Sequence, residues 1–202
     1  RHIRLVMRAT CDNIAQELVQ EFTITAENGV EIGGMITENM TLYPNVHYIV
    51  TRPLAIPEGV TLTIKPGTVL KFKQKTGISV TGNFDCIGTP DSMIVFTSAD
   101  LELSATSGFY FQDTIKYVKI ENFLMNVDRI KNCILVDCVV KNCYNTKIEN
   151  TDLIRTNIIS NDYDGLLLFG SYADDKLLLL DCNIVSNKAQ HGGCGYPGVI
   201  EF

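Results

Sequence analysis

Carboxylates, amides and a histidine gather in the last third of this 202-residue chain: Asn150-Thr151-Asp152, Asp162-Tyr163-Asp164-Gly165, Asp174-Asp175 and Gln190-His191-Gly192-Gly193. Two acids facing one another across a sugar linkage can cleave it, one protonating the leaving oxygen while the other activates water. Asp162, Asp164, Asp174 and Asp175 could instead surround calcium, a cation that takes oxygen ligands. Arg155 or Lys176 would then serve as proton acceptor for an eliminative cleavage. His191, in a Gly-rich turn, offers a general acid or a ligand, because the ordinary imidazole pKa lies close to neutrality. The plainer alternative for each is a solvated turn. Asp174-Asp175 immediately precedes the apolar run Lys176-Leu-Leu-Leu-Leu180, and His191 has no carboxylate partner in sequence. His2 and His47 belong to no motif, and the GxSxG and GxxxxGK[ST] signatures are absent.

The seven cysteines, at 11, 86, 133, 138, 143, 182 and 194, are an odd set with no CxxC pair. Zinc sites need ligands paired at short spacing, so the even spacing of Cys133, Cys138 and Cys143, with no histidine near, argues for core thiols and against a metal site. The formal charge of −6 opposes a phosphate-backbone partner, which requires clustered Lys and Arg, so nucleic acid is excluded as an expectation. No apolar stretch approaches the ~18 residues of a membrane span. With 46% hydrophobic and 20% charged residues, the composition is that of a chain that buries a core.

Short period-2 runs must position these groups. Val60, Leu62 and Ile64 alternate with Thr61, Thr63 and Lys65 before Pro66-Gly67 closes the run, and later runs centre on Leu70/Phe72, Ile78/Val80, Ile94/Phe96, Leu101/Leu103 and Phe109/Phe111. Such alternation predicts strands with one buried face. A longer repeat follows in 115–122 (IKYVKIEN), 136–142 (VDCVVKN), 154–161 (IRTNIISN) and 180–187 (LDCNIVSN), each ending on an asparagine, with the last step lengthened by an insertion around 170–175. Steps of about 20 residues predict stacked units, each unable to bury its apolar face alone. A leucine-rich repeat fails the L-x-x-L-x-L spacing. A three-sided coil fits, with Asn122, Asn142, Asn161 and Asn187 as one corner ladder bonding from coil to coil.

The stretch 48–72 (YIVTRPLAIPEGVTLTIKPGTVLKF), followed by 78–82 (ISVTG), Gly88-Thr89 and 94–98 (IVFTS), resembles the opening coils of right-handed parallel β-helix proteins of the pectin-lyase-like superfamily. The Asn-ended segments resemble that family's later repeats. The resemblance implies an all-β, single-stranded parallel β-helix, a secreted or cell-surface location, and relatives that are polysaccharide lyases, glycoside hydrolases, adhesins or stalks. Polygalacturonase-like members place Asn-Thr-Asp-Gly, a paired aspartate one coil later and Gly-His-Gly one coil after that. This chain departs from the pattern. Leu153 follows Asn150-Thr151-Asp152 where a glycine is needed, and the place one coil beyond Asp164-Gly165 reads Ser186-Asn-Lys-Ala-Gln190.

Residues 1–27 are expected to be a remnant of a preceding immunoglobulin-like module, with strands at 4–10 and 18–25, or a helical cap with Asp12 as its N-cap and Ile14, Leu18, Val19 and Phe22 on one face. Residues 28–202 are expected to form the β-helix. Starting at Arg1 and ending on 198–202, the chain reads as part of a longer one, acting as a monomeric unit within it. The expectation is a non-catalytic structural or ligand-binding module, adhesin- or stalk-like, that contacts a polysaccharide, another glycan or a protein through its solenoid face, with Tyr163 and Tyr172 near the aspartates. Its alternative is a polysaccharide lyase or glycoside hydrolase using Asp162, Asp164, Asp174, Asp175 and His191, with calcium as the one candidate cofactor.

Overall fold

The computed structural model describes residues 2–11, 14–23, 29–99, 105–106, 108–123, 125–127, 130–143, 147–159, 161, 167–169, 176–187 and 199–201. Among them every regular element is a strand. His2–Cys11 and Ile14–Thr23 form an antiparallel hairpin in which Cys11 opposes Ile14 and His2 opposes Thr23. The strand alternative therefore describes this segment, and the helix over 14–22 does not form. The register is continuous over all ten pairs, from His2 opposite Thr23 to Cys11 opposite Ile14.

From Val30 onward the chain winds into a parallel β-solenoid of about 6 turns with three faces. Face A holds the leading halves of Val30–Met35 and His47–Ile56, then Val69–Phe72, Ile94–Ser98, Val118–Glu121, Val139–Lys141, Asn157–Ile159 and Asn183–Val185. Face B takes the trailing halves of the first two strands, then Gly77–Val80, Gly108–Tyr110, the leading halves of Ile130–Val136 and Lys147–Ile154, and Leu167–Phe169. Face C consists of Met40–Leu42, Thr61–Ile64, Asn83–Cys86, Thr114–Lys116, the trailing halves of Ile130–Val136 and Lys147–Ile154, then Lys176–Leu180 and Val199–Glu201. A side ladder pairs Ala105–Thr106 with Met125–Val127.

Period-2 alternation explains the interior. On face A the register stacks Tyr48, Leu70, Phe96, Ile120, Val140, Ile158 and Ile184 in one inward column. On face B it stacks Leu54, Ile78, Phe109, Ile130 and Ile148. Face C contributes Ile115, Leu135, Leu153 and Leu179. Each coil can bury its apolar residues only against the next, so the columns are the source of cohesion.

Coil length varies along the axis. The chain takes a much longer path from Leu70 to its partner Phe96 than from Val140 to its partner Ile158. The wide coils are filled by Phe72, Phe84, Phe96, Phe109, Phe111 and Phe123, with Phe72 and Phe109 edge-to-face at 5.2 Å and Phe84 stacked on Phe111 at 5.3 Å. Two coils also touch backbone to backbone. A Cβ on Gly77 would overlap the Gly108 carbonyl oxygen, so only glycine permits this approach.

Candidate functional site

A three-sided coil must turn sharply at each corner while leaving few backbone groups unpaired. In the later coils the chain does so with single residues in the left-handed region. Tyr117, Asp137, Arg155 and Asp181 turn it from face C to face A, Asn122, Asn142 and Ser186 from A to B, and Asn132 and Asn150 from B to C, with φ between 45 and 62°. Asn and Asp enter this region most readily among residues with a Cβ, which accounts for their recurrence.

The residue after each turning residue points inward and usually carries a small donor. Cys138 Sγ–H is directed at the carbonyls of Val136 and, one coil below, Ile115, at 3.3 and 3.4 Å. At the equivalent place in the next coil Thr156 donates to Ile154 and Leu135, and in the one after that Cys182 donates to Leu180 and Leu153. Cys143 serves Lys141 and Ile120 in the same manner at the A–B corner. The described cysteines Cys86, Cys133, Cys138, Cys143 and Cys182 are all free. Burial pushes the thiols of Cys133, Cys138 and Cys143 up to about 12, so they remain protonated donors and poor nucleophiles at neutral pH.

The expected single asparagine ladder is instead two, offset by one position. Asn142 Nδ2 donates to Asn122 Oδ1 at 3.2 Å on the outside, where both residues turn the chain. Asn161 and Asn187 belong to the inward column with Phe123 and Cys143. Asn161 is buried, its Oδ1 accepts from the Cys143 amide at 2.9 Å, and its Nδ2 donates to Asn187 Oδ1 at 2.9 Å and to the Val140 carbonyl. Asn161 thus stands one coil above Cys143 and not above Asn142, and this shift by a single position turns a corner asparagine into an inward plug.

The C–A corner is ionic on its outer side. Arg155 donates twice to Asp137, Nε to Oδ1 at 2.7 Å and Nη2 to Oδ2 at 2.8 Å, and Lys116 stands 3.9 Å away. The Arg155 hydrogen bond holds the Asp137 carboxyl below its ordinary range. Arg155, one of the two bases named from the sequence, is thus held in an exposed ion pair with Asp137. Face A carries a second charged rung, with Glu121 between Lys141 at 3.0 Å and Lys119 at 3.9 Å. On face B, Lys131 reaches the buried Glu149 at 2.8 Å.

The hydrogen-bonded rungs on the outer side of the B–C corner are neutral. The Thr61 amide donates to Asn39 Oδ1 at 2.9 Å, Asn83 Nδ2 to Thr61 Oγ1 at 3.3 Å, and Asn150 Nδ2 to Asn132 Oδ1 at 3.2 Å. Gln112 lies between Asn83 and Asn132, since the Ile87–Lys116 bridge and the pairing of Thr114 with Ile134 carry that register from coil to coil. Here the solenoid surface is indented by an open groove of about 380 Å³, lined by Gln112, Asp113, Thr114, Asn132, Cys133, Ile134 and Asn150. Asp113 Oδ2 accepts the Phe84 amide at 3.4 Å, and Oδ1 of Asp152, farther along the same face, accepts the Leu178 amide at 3.0 Å.

Asp162, Asp164, Asp174, Asp175 and His191, with Tyr163 and Tyr172, lie outside the described residues. Of the other sequence candidates, Asn150 turns the chain at the groove and Asp152 caps a strand amide. Among the described residues no three His, Cys, Asp or Glu side chains are grouped so as to hold a metal. The groove-lining Gln112, Asp113, Thr114 and Asn132 escaped the sequence reasoning. The available signal was the recurrence of Lys-Asn at 131–132 as Glu-Asn at 149–150, a charge reversal that pairs across coils. The chain matches no family model, no curated protein and no solved structure.

Proposed function

We propose that this chain is a non-catalytic structural and ligand-binding module, adhesin- or stalk-like, of a secreted or cell-surface multidomain protein. Its parallel β-helix is of the pectin-lyase-like kind, and residues 1–27 are the remnant of a preceding immunoglobulin-like module. The observation that carries the proposal is the outer surface of the corners, where side chains are locked to their counterparts one coil away as neutral or ionic rungs. Coils stack at about 4.8 Å, so these rungs present a periodic and preorganised array to an extended partner. The partner is a polysaccharide or other glycan, or a protein laid along the solenoid face. The thiols of Cys133, Cys138 and Cys143 are buried and stay protonated, which shields them from oxidation in any compartment.

The test is incubation with a panel of acidic and neutral polysaccharides, with and without calcium, scoring retention and new chain ends. Retention without new ends is the expected result. New ends that disappear on Asp164→Ala would replace the module with an enzyme.

A further inference from the structure

We infer that the B–C corner groove binds a neutral, polyhydroxylated chain running along the solenoid axis. The inference rests on the ligand-binding proposal above and names its site and chemistry.

The ionic rungs lie on other parts of the surface and carry excess positive charge, since Arg155 and Lys116 share Asp137 and Lys141 and Lys119 share Glu121. The buried thiols are shielded and directed at carbonyls. The B–C corner adds to an asparagine rung like that of the A–B corner a groove lined by Gln112, Asp113 and Thr114, whose polar groups keep capacity after their mutual bonds are made. An asparagine amide offers two N–H donors and an oxygen with two lone pairs. The Asn150-to-Asn132 rung uses one donor of Asn150 and one lone pair of Asn132. Both residues are exposed, as are Gln112 and Thr114, and among the described residues no further hydrogen bond to these side chains is present in the groove. Asp113 is likewise exposed, with one carboxylate oxygen engaged by the Phe84 amide. Donors and acceptors from three coils therefore line the groove, with Ile134 supplying an apolar patch.

A sugar hydroxyl both donates and accepts, so adjacent hydroxyls match a planar amide that does the same. The charge on the groove selects within that class. Asp113 lines it, Asp152 pairs in register with Ile134, and no Lys or Arg is among the lining residues. A uronic-acid chain or a nucleic acid would meet uncompensated negative charge, whereas a neutral glycan meets acceptors. The groove is open to solvent, so its volume of about 380 Å³ seats one side of a short stretch of chain and does not enclose a ligand. Asn83, Thr61 and Asn39 continue the neutral line beyond the groove, so an extended ligand gains further contacts coil by coil.

The experiment titrates the chain with neutral hexasaccharides (cellohexaose, xylohexaose and mannohexaose) and with hexagalacturonate, following amide chemical shifts. Gln112→Ala and Thr114→Ala, neither of them turning residues, are compared with Ser79→Ala, an exposed strand position on face B, each checked for an unchanged urea midpoint. The expected result is binding of a neutral hexasaccharide, weakened about tenfold by the combined groove substitutions and unaffected by Ser79→Ala. Binding that ignores the groove substitutions overturns the site while leaving the module proposal standing. Binding of hexagalacturonate alone overturns the ligand class. No binding of any hexasaccharide, combined with retention on an acidic polysaccharide in the panel above, overturns the inference alone, and no retention anywhere removes both.

Discussion

The coils from His47 to Phe123 and those from Ile130 to Asn187 solve the same problem by different means. In the first group the path between stacked residues is long, turns use Pro-Gly and Thr, and the wide interior is filled by phenylalanines packed on one another. In the second group the path shortens as far as Ile158, lengthening again only at the insertion before Ile184, and the inward residue after each turn is a Cys, Thr or Asn, several of which hydrogen-bond the carbonyls of neighbouring coils. Width decides between them. A wide coil has volume to fill and can absorb a loop, while a narrow one brings turn carbonyls, each already accepting a backbone amide, within reach of a small inward donor that meets their second lone pair. Volume errors should therefore dominate in the first group and hydrogen-bond errors in the second.

The largest effect is expected at Phe109, which is fully buried and touches the rings of Phe72, Phe96, Phe111 and Phe123. Phe109→Ala should cost about 3–5 kcal/mol in urea unfolding, because a rigid aromatic cluster collapses poorly into the cavity. A cost under about 1 kcal/mol would mean that the wide coils are loosely packed and that the contrast is mistaken.

The inward A–B column allows a direct comparison of the two solutions, since Phe123, Cys143, Asn161 and Asn187 occupy equivalent places. Asn161→Leu keeps the volume but orphans the buried Cys143 amide and removes the second hydrogen bond to the Val140 carbonyl, and should cost about 2–3 kcal/mol. Phe123→Leu, a change of volume alone, should cost less, on the order of 1 kcal/mol. Equal costs would remove the distinction between the groups.

Much of this architecture was legible beforehand because it depends on periodicity. The alternation of Val60, Leu62 and Ile64 and the recurrence of 115–122, 136–142, 154–161 and 180–187 report which side chains are inside, and the faces follow. What could not be read was registration to a single position. Asn142 and Asn161 look equivalent as segment ends, yet one turns the chain and the other plugs the interior, because nothing local marks the position at which a coil closes. The groove was illegible for a related reason. Its residues come from separate coils, and Gln112-Asp113-Thr114 resembles an ordinary polar turn until Asn132 and Asn150 are placed beside it.

The corner thiols sharpen the comparison chemically. Thr156 performs at its level the bonding that Cys138 performs one coil below, so Cys138→Thr should be nearly neutral while Cys138→Val costs about 1 kcal/mol. The same burial makes the narrow coils sensitive to base. Thiols at 133, 138 and 143 titrate near 12 when folded and near 9.0 when unfolded, so their contribution is intact below pH 9. It is lost as the pH rises from about 9 to about 12, each thiol adding about 1.4 kcal/mol per pH unit of slope. Urea midpoints measured across this range should fall less steeply for Cys138→Thr than for the wild type, and parallel slopes would place that thiol in water.

The smallest effect belongs to the outer ionic corner. Asp137 is paired bidentately with Arg155, but both stand at the surface, where solvent and salt screen the attraction. Asp137 occupies a left-handed turn that Asn tolerates equally well, so Asp137→Asn removes charge without straining the backbone. Its folded carboxyl is held below the ordinary range, which places the ion pair's contribution above the unfolded pKa and removes it as the pH falls through the lowered folded value. Wild type and Asp137→Asn should therefore differ slightly at neutral pH in low salt and converge in strong acid or at high salt. A difference that survives both conditions would show that the outer corners stabilise the stack as the inner donors do, and that the later coils are held from outside as well as within.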